Sequence, residues 1–466
     1  MSAAPATSRR YFLFTSACGF GGVALSWLLT NEARAAITAS PYAPRTPQFP
    51  ARAKRVIHIC ALGGVSHLDT FDYKPELEKR HGQDAGRSFD TFFGQPGKLL
   101  KSPFAFRRHG ASGRWCSDLL PHLATCVDDL TFIHSMHSRS SNHTPATFLM
   151  DSGFTFNGFP SVGAWVSYGL GSENQNLPAF VVLPDPGGWP KGGAPAWGNG
   201  YLPATYQGTI LRGGESPILD LNTPRGISAE QQRATVDFVN KLNREHLHRG
   251  EESSELSARI AAYELAFRMQ SHAPEVVNLA RESDATRRLY GLDSKVTAEF
   301  GTRCLLARRL VEAGVRFVQV YCGDTNGWDG HSKMEENHSK LCAQSDLPVA
   351  GLLKDLKARG LLESTLVVWG GEFGRMPMSE GSDGRDHNPH GFSMWLAGGG
   401  VKGGQIIGTT DAVGLRATED KTHVHDIHAT ILQLLGFDHE QLTFRHNGRD
   451  ERLTDVAGNV IGKALA

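Results

Sequence analysis

The sequence predicts an α/β protein with a doubly wound, mostly parallel sheet that is flanked by helices and carries a helical insertion. Short apolar runs alternate with stretches of helical periodicity, which is typical of parallel β-α units. Four of the runs, at 55–62, 130–136, 315–321 and 366–369, end in loops that carry Gly or Pro together with His, and three of these loops also carry Asp. Ligands bind outside the carboxyl ends of the strands in such sheets, so we expect the functional site at these loops.

The loop after the run at 366–369 is the richest of the four in chemical groups. The run stops at Gly370 and Gly371, as a buried strand does where it reaches the edge of a sheet. Acidic, basic and imidazole side chains follow, namely Glu372, Arg375, Asp383, Asp386, His387 and His390. A solvated polar loop is the less favoured interpretation, because such loops seldom concentrate two His beside several acids after a double Gly.

The other three loops repeat this arrangement of a strand followed by turn residues and polar side chains. Their candidate residues are Asp69 after the first run, His143 and Thr144 after the second, and Asp329 with His331 after the third. Helices predicted at 146–150, 300–312 and 339–359 lie between the runs, which supports parallel pairing.

Three further segments complete the predicted organisation. Residues 422–436 begin as a His-rich loop and continue as an amphipathic helix in which His425 and His428 share one face and could converge on one ion, while Asp426 could be a plain N-cap. Residues 178–217, rich in Gly, Pro and Trp, are predicted to form a long loop or cap. Residues at about 229–292 are predicted to form a helical subdomain.

The histidines are concentrated where the strand-end loops lie. Of the 20 His, nine lie between positions 331 and 446, whereas positions 151–328 contain three. A structural role is the commoner interpretation for any single His, but the set as a whole favours a divalent metal, with zinc first and manganese, calcium or iron as alternatives. The predicted ligands all lie at strand ends or loop-to-helix junctions: Asp69, Asp329, His331, Glu372, Asp386, His387, His425 and His428.

The first 35 residues are predicted to be a twin-arginine signal peptide, followed by a Pro-rich tether at 36–54. Arg9 and Arg10 precede a mildly apolar stretch, and residues 33–35 have the small-x-small pattern of a cleavage site. A short membrane anchor is the alternative, but Gly residues weaken the stretch as a permanent span. We expect a periplasmic or exported protein that the twin-arginine export machinery transports and that keeps no stable membrane span after cleavage.

The charge balance bears on the binding partners, and the cysteine content bears on possible disulfides. Lys+Arg and Asp+Glu number 48 each, which argues against nucleic acid or an anionic membrane surface, since both select for a basic excess. Six cysteines beyond the predicted signal peptide would allow up to three disulfides in an oxidising compartment, and Cys116 with Cys126 is the first pair to test.

Six motifs occur in order along the chain after the tether. They read GGVSHLDTFD, NHTPATFLMDSG, WDGH, VVWGGEFGR, DHNPHGF and DIHATILQLLG. Together, over about residues 55–455, they resemble an exported bacterial family known as domain of unknown function 1501, which looks like a branch of the alkaline-phosphatase/sulfatase superfamily. The resemblance implies an alkaline-phosphatase-like α/β domain over 55–466 with a metal cleft at the strand ends.

The resemblance also implies roles for several candidate residues. GGEFGR is similar to a superfamily strand followed by Asp-His-Gly, which implies that Glu372 is a carboxylate ligand. WDGH looks like the superfamily pair for one metal, which implies Asp329 and His331. DIHATILQLLG is similar to a helix that elsewhere reads Asp-Ile-x-Pro-Thr-Leu-Leu. Asp69 would be the acid of the first strand, although related sequences can carry Asp at the position of Ser66.

The predicted function is an exported, metal-dependent hydrolase of phosphate or sulfate esters whose substrate is a small-molecule or glycan ester. Thr144 stands before Pro145 where sulfatases carry Cys or Ser, so formylglycine chemistry is not expected. Thr144 is the first candidate nucleophile, His143 is an alternative nucleophile or general acid, and a metal-bound water is the third candidate. Arg375 is predicted to hold a non-bridging ester oxygen, with a surface salt bridge as its alternative role.

Two rival functions follow from the same residues. A non-catalytic exported binding or assembly protein could retain the superfamily fold, and the missing Cys or Ser nucleophile favours it. A serine hydrolase is disfavoured because the sequence has no G-x-S-x-G motif.

Overall fold

The computed structural model describes residues 42–86, 96–212, 217–218, 221, 226–249 and 254–466. The predicted signal peptide, with Arg9 and Arg10, lies outside the described residues, as does the first part of the predicted tether. One compact unit extends from Pro44 to Ala466. Among the described residues, no helix is both long enough and apolar enough to cross a lipid bilayer.

Strands and helices alternate over most of the chain. Within the described ranges, the strands are β1 (Arg55–Cys60), β2 (Phe106–His109), β3 (Arg114–Ser117), β4 (Leu130–His137), β5 (Phe180–Leu183), β6 (Thr209–Ile210), β7 (Phe317–Tyr321), β8 (Thr365–Gly370), β9 (Gly374–Arg375), β10 (His387–Asn388), β11 (Phe392–Ala397), β12 (Gln405–Ile407), β13 (Thr409–Thr410), β14 (Ala417–Glu419), β15 (Thr422–His423), β16 (Phe444–His446) and β17 (Arg449–Glu451). The α-helices in the same ranges are α1 (His67–Thr70), α2 (Pro75–Lys79), α3 (His143–Ser152), α4 (Val162–Leu170), α5 (Ala229–Arg249), α6 (Ser254–Val277), α7 (Asp284–Leu289), α8 (Ala298–Glu312), α9 (Met334–Ala358) and α10 (Val424–Leu434).

The main sheet contains nine strands in the described part of the chain. Their order is β12-β4-β11-β8-β1-β7-β5-β6, and β15 pairs with β4. β1 lies between β7 and β8 and is parallel to both, and β5 continues the parallel pairing beyond β7. β11 is antiparallel to its neighbours β4 and β8. The predicted fold class, an α/β protein with a mostly parallel sheet, is confirmed.

β1 is buried on both faces, which explains its nearly continuous apolar sequence. Val56 and Cys60 belong to a core cluster that also contains Trp165 of α4 and Ile431 of α10. Ile57 points to the opposite face because successive side chains of a strand alternate. α8 packs against β1 and β7, and α9 packs against α8. Because both faces of the sheet are covered by apolar side chains, the polar side chains lie in the loops at the ends of the strands.

Two features of the sheet differ from the sequence prediction. The sequence predicts a loop or cap at 178–217, but this segment contains β5 and β6, which extend the main sheet. β11 was not identified from the sequence, although it is buried throughout. A short buried strand shows no polar-apolar alternation, and the Gly and Pro residues that flank β5 are typical of loops.

The helical insertion and the cysteines can also be compared with the prediction. α5 and α6 pack against each other within the segment 229–292. The six cysteines in the described ranges are buried free thiols, so the suggested Cys116–Cys126 disulfide is not formed.

Replacing Trp395 with Ala is expected to lower the free energy of unfolding by about 3–5 kcal/mol. Trp395 of β11 is fully buried and stacks on Trp369 of β8, with ring centroids 5.9 Å apart. Trp189→Ala is the control, because Trp189 is 49% exposed. Chemical unfolding followed by circular dichroism measures both variants, and equal losses would contradict the central position of Trp395.

Candidate metal centre

The loops that follow β7 and β8 meet the start of α3 at the carboxyl end of the sheet. β1, β7 and β8 are adjacent and parallel, so their carboxyl ends lie along the same edge. The loop after β7 contributes Asp329 and His331, the loop after β8 contributes residues from Glu372 to His387, and α3 begins at His143. The contacts between these side chains define the candidate centre.

Asp329 lies in the middle of the cluster. Its Oδ1 is 3.0 Å from His331 Nε2 and 3.2 Å from His387 Nε2, and its Oδ2 is 3.1 Å from His143 Nε2. Arg375 Nη2 donates to Oδ1 at 2.5 Å. Burial alone would raise the pKa of Asp329, but the three neighbouring imidazoles and the charge of Arg375 hold this pKa far below its usual value. The carboxylate is therefore ionised at neutral pH.

His143 and His331 each lie between two carboxyl groups. His143 Nδ1 is 2.6 Å from Glu372 Oε1, and His331 Nδ1 is 2.5 Å from Glu380 Oε2, while the second nitrogen of each ring faces Asp329. Burial opposes the charged form of His143, but its bonds to Asp329 and Glu372 outweigh burial and raise its pKa. The hydrogen bond to Asp329 is the main cause of the raised pKa of His331.

His387 shows that the cluster suits a bound cation. Its Nδ1 donates to the Ser141 carbonyl at 2.6 Å, because a carbonyl oxygen can only accept. Burial lowers the pKa of His387, so the ring is neutral and its Nε2 carries no proton. This Nε2 lies 3.2 Å from the ionised Asp329 Oδ1. Both atoms are hydrogen-bond acceptors, so neither can donate a proton to the other. A metal ion between two such atoms would satisfy both.

Two neighbouring groups of side chains have ligand atoms close enough together to share an ion. The first group is His143, Asp329 and His387, and the second is His331, Glu380 and Asp386; within each group the ligand atoms lie within 4.8 Å of one another. Imidazole and carboxylate ligands suit zinc, manganese and iron. The donor set therefore fits the predicted divalent metal, and His331, which also contacts Asp329, connects the two groups.

Glu380 was not identified as a candidate ligand from the sequence. The only sequence signal is its position in the loop after β8, where it precedes Gly381 among several other polar residues. An acidic residue before Gly is common in solvated turns. The pairing with His331 that distinguishes Glu380 joins two distant loops, and no local pattern encodes it.

Arg375 does not face the open side of the cluster. Its guanidinium is fully buried and donates to the carbonyls of Gly64 at 2.8 Å, of Arg385 at 2.9 Å, and of Gly63. Together with the bond to Asp329, these contacts engage all three nitrogens. The prediction that Arg375 holds an ester oxygen is therefore corrected: Arg375 positions Asp329.

Glu372 lies behind the candidate ligands and is not part of either group. Its Oε1 contacts His143, and its two oxygens accept from the Gly63 N–H at 3.0 and 3.2 Å. Gly63 has a φ of +115°, and a Cβ there would lie 2.6 Å from the backbone nitrogen of Trp328, so this approach requires glycine. Glu372, which the sequence predicts to be a ligand, instead orients His143 as outer carboxylates orient histidine ligands.

Thr144 lies beside His143 in the first turn of α3 and is partly exposed. Asn142 caps this helix, since its Oδ1 accepts from the Thr144 N–H at 3.2 Å. The free N–H groups and the positive end of the helix dipole favour a bound anion. The start of α3 therefore combines a hydroxyl group, an imidazole and an anion-favouring helix end.

The family of the chain follows from a comparison of its sequence with known families. A family model described as "Protein of unknown function (DUF1501)" matches residues 53–465. The chain belongs to this family. No curated protein sequence is significantly similar to this DUF1501 protein.

Several solved structures are similar to the DUF1501 protein at low sequence identity. They include the PsFucS1 sulfatase from Pseudoalteromonas sp., with 15% identity over 96% of this chain and 77% of that chain and a TM-score of 0.35. The lipoteichoic acid synthase LtaP from Listeria monocytogenes has 9% identity over 85% and 76% of the two chains and a TM-score of 0.35. The phosphonate monoester hydrolase SpPMH from Silicibacter pomeroyi has 12% identity over 68% of each chain and a TM-score of 0.30. These similarities are too distant to assign a role to any residue.

Asp69 of the DUF1501 protein is held by an arginine and not by the cluster. Its Oδ2 accepts from Arg385 Nε at 2.9 Å and its Oδ1 from Arg385 Nη2 at 3.3 Å, and both side chains are fully buried. Ser66 also donates to Asp69 Oδ2. Both carboxylate oxygens are therefore engaged, which corrects the prediction that Asp69 is a metal ligand.

His425 and His428 bind the far end of α3. His425 Nε2 donates to the Gly153 carbonyl at 2.6 Å, and His428 Nε2 donates to the Met150 carbonyl at 2.7 Å. The last carbonyls of a helix have no partner within it, so the two imidazoles cap α3. Burial lowers the pKa of His428 to about 3, which keeps it a neutral donor. These contacts correct the prediction that the pair binds an ion, and Asp426 forms a capping box at the start of α10.

Asp69→Asn is expected to lower the free energy of unfolding by about 3–5 kcal/mol, because it leaves the buried Arg385 charge without its partner. The metal content of the folded variant is expected to stay unchanged, since Asp69 is not a ligand. Asp237→Asn is the matched control: it removes an exposed pair with Arg233 and should leave the unfolding midpoint unchanged. Chemical unfolding and elemental analysis provide the two measurements. Loss of metal from folded Asp69→Asn protein would return Asp69 to the set of ligands.

Proposed function

We propose that this DUF1501 protein is an exported, metal-dependent hydrolase of phosphate or sulfate esters. The observation that carries the proposal is the convergence of three imidazoles on the ionised carboxylate of Asp329, at the carboxyl end of a parallel sheet. Glu380 and Asp386 extend this convergence into a second group of potential ligands. The cluster is only partly closed, because Asp329 and His331 keep 21% and 27% of their side-chain surface exposed.

The residues that would hold the metal are those of the two neighbouring groups. His143, Asp329 and His387 would hold one divalent ion, and His331, Glu380 and Asp386 would hold a second. Zinc is the first choice, with manganese, calcium or iron as alternatives. A bound divalent ion would polarise the ester oxygens and stabilise the negative charge that develops on them in the transition state.

The remaining residues of the centre keep the ligands in position. Glu372 orients His143, and Arg375 fixes Asp329 from the buried side. The Ser141 carbonyl fixes the tautomer of His387, so its Nε2 faces Asp329. Such outer contacts restrict the rotamers of the ligands, which favours a preorganised centre.

Thr144 is the nucleophile that the arrangement favours. His143 lies between Glu372 and Asp329, with both ring nitrogens directed at carboxyl groups, so it is poorly placed to attack an ester. Thr144 is partly exposed in the adjacent position, at a helix end that attracts anions. In a covalent route, the Thr144 hydroxyl would lose its proton to solvent and form a bond to phosphorus or sulfur, while the bond to the ester oxygen breaks and the alcohol leaves with a proton from solvent. Water would then cleave the bond to the Thr144 oxygen, which regains a proton, and phosphate or sulfate would be released.

The proposed substrate and location follow from the sequence. Equal numbers of acidic and basic residues favour a small-molecule or glycan ester over a nucleic acid. Arg9 and Arg10 support export by the twin-arginine machinery. The alternative, a non-catalytic binding or assembly protein, predicts that metal binds without turnover.

Protein loaded with zinc or manganese is expected to hydrolyse an aryl phosphate or an aryl sulfate and to lose this activity to a chelator. Asp329→Asn is expected to reduce kcat/KM by more than about 100-fold. Loss of a residue that only orients a metal ligand reduces activity by at most about 100-fold, and loss of a ligand should cost more. Asp324→Asn is the matched control, because it changes an exposed carboxylate of the same loop. Thr144→Ser should keep activity that Thr144→Ala loses. Absence of metal-dependent turnover on both esters would reject the hydrolase.

Metal affinity is expected to strengthen as the pH rises through the range in which His143 and His331 titrate. Both pKa values are raised in the metal-free cluster, so below them the imidazoles are protonated and the metal must displace protons. Above these pKa values the rings are already neutral. Each displaced proton changes the affinity about tenfold per pH unit. Calorimetric titration in buffers of different ionisation heat counts the released protons, and an affinity independent of pH would contradict the assigned ligands.

A further inference from the structure

A third group of potential metal ligands is buried against one face of the main sheet. His58 and Cys60 are two positions apart on β1, so their side chains point to the same face. The parallel register pairs His58 with Gln319 and Cys60 with Tyr321 on β7. Asp151, near the end of α3, covers this face and completes a buried polar group within an otherwise apolar core.

The carboxyl group of Asp151 lacks a compensating cation. Its Oδ1 accepts from Gln319 Nε2 at 3.0 Å, and its Oδ2 accepts from the Tyr321 hydroxyl at 3.3 Å. In the described part of the chain Asp151 makes no ion pair, and the charge that acts on it is the negative charge of Glu372. Burial raises the pKa of Asp151 well above its usual value, so without a cation the carboxyl group holds a proton, which a bound metal ion would displace.

His58 and Cys60 supply the other two ligand types that a cation would require. The Nε2 atom of His58 is buried and has no hydrogen-bond partner among the residues that the structure describes. The thiol of Cys60 is 99% buried, and its contacts are the weak ones of a sulfur atom, with Gln319 Nε2 at 3.6 Å and the His58 carbonyl at 4.0 Å. The ligand atoms of His58, Cys60 and Asp151 lie within 4.8 Å of one another.

We propose that His58, Cys60 and Asp151 form a structural zinc site in the core of this protein. Imidazole nitrogen, thiolate sulfur and carboxylate oxygen are the three ligand types of protein zinc sites. Binding would release one proton from the thiol and one from the carboxyl group to solvent, so that two anionic ligands balance the charge of Zn²⁺. Rotation of the Gln319 amide, which already contacts both Cys60 and Asp151, would offer its oxygen as a fourth ligand.

This site differs from the candidate metal centre in chemistry and in access. The two groups at the strand ends contain only imidazole and carboxylate ligands, whereas the inner site contains a thiolate. The side chains of the inner site are buried, so the metal would enter as the chain folds and its binding energy would add to the free energy of folding. The site does not depend on hydrolase activity.

Replacement of the bound metal by Co²⁺ during refolding tests the site, because a thiolate ligand gives a sulfur-to-cobalt charge-transfer band that imidazole and carboxylate ligands cannot give. The band is expected in the parent protein and in Asp329→Asn, and it is expected to be lost in Cys60→Ser together with roughly one metal equivalent per chain. Cys322→Ser is the matched control, since Cys322 is a buried free thiol that directly follows β7. It should keep the band.

X-ray absorption at the zinc edge of the parent protein tests the same site without any substitution. One sulfur neighbour at about 2.3 Å from zinc is expected. A zinc-loaded, folded protein without a sulfur neighbour would overturn the proposal, even if Cys60→Ser fails to fold. A cobalt band that survives in Cys60→Ser would overturn it as well. Neither result affects the ester-hydrolysis assay, so the two proposals fail independently.

Discussion

The buried guanidinium of Arg375 is the group on which the candidate metal centre depends. Arg375 follows β8, and it donates to the carbonyls of Gly63 and Gly64 after β1 and to Asp329 after β7. One side chain thus ties three adjacent strands together at their carboxyl ends. A buried guanidinium is stable only while its N–H groups have hydrogen-bond acceptors. Separation of these loops would therefore cost free energy, because it would leave the charge of Arg375 buried without partners. Asp329 is fixed as a result, and the three imidazoles take their positions from it.

The balance of charge in the cluster explains why its histidines titrate in opposite directions. Arg375 pairs with Asp329, and a second buried cation, Arg385, pairs with Asp69. His143 lies between Asp329 and Glu372, and His331 lies between Asp329 and Glu380. These carboxyl groups raise the pKa values of both imidazoles. Burial lowers the pKa of His387, and the nearby positive charge of Arg375 acts in the same direction. A divalent ion bound at this cluster would therefore replace the positive charge that protons on His143 and His331 supply in its absence.

The sequence predicted the position of the site better than the role of each residue. β1, β4, β7 and β8 were recognisable as apolar runs that stop at Gly or lead to Pro, and parallel pairing places the ends of three of them at one edge. The roles depend on which distant side chains meet. Asp69 faces Arg385, Glu372 faces His143, and Glu380 faces His331. Residue type and spacing cannot distinguish a carboxylate that meets an arginine from one that meets an imidazole.

α3 connects two segments that are far apart in the sequence, the loop after β4 and the start of α10. His143 and Thr144 lie in its first turn, while His425 and His428 donate to the carbonyls of Gly153 and Met150 at its other end. A helix of 10 residues is about 15 Å long, so histidines at both ends hold it at two well-separated points. The two histidines at the far end, which the sequence predicted to bind an ion, instead contact carbonyl groups at the end of α3. His425 and His428 hold the far end of α3, and the first turn of α3 brings His143 and Thr144 to the ends of the strands. The position of His143 beside Asp329 therefore depends on two histidines at the opposite end of the helix.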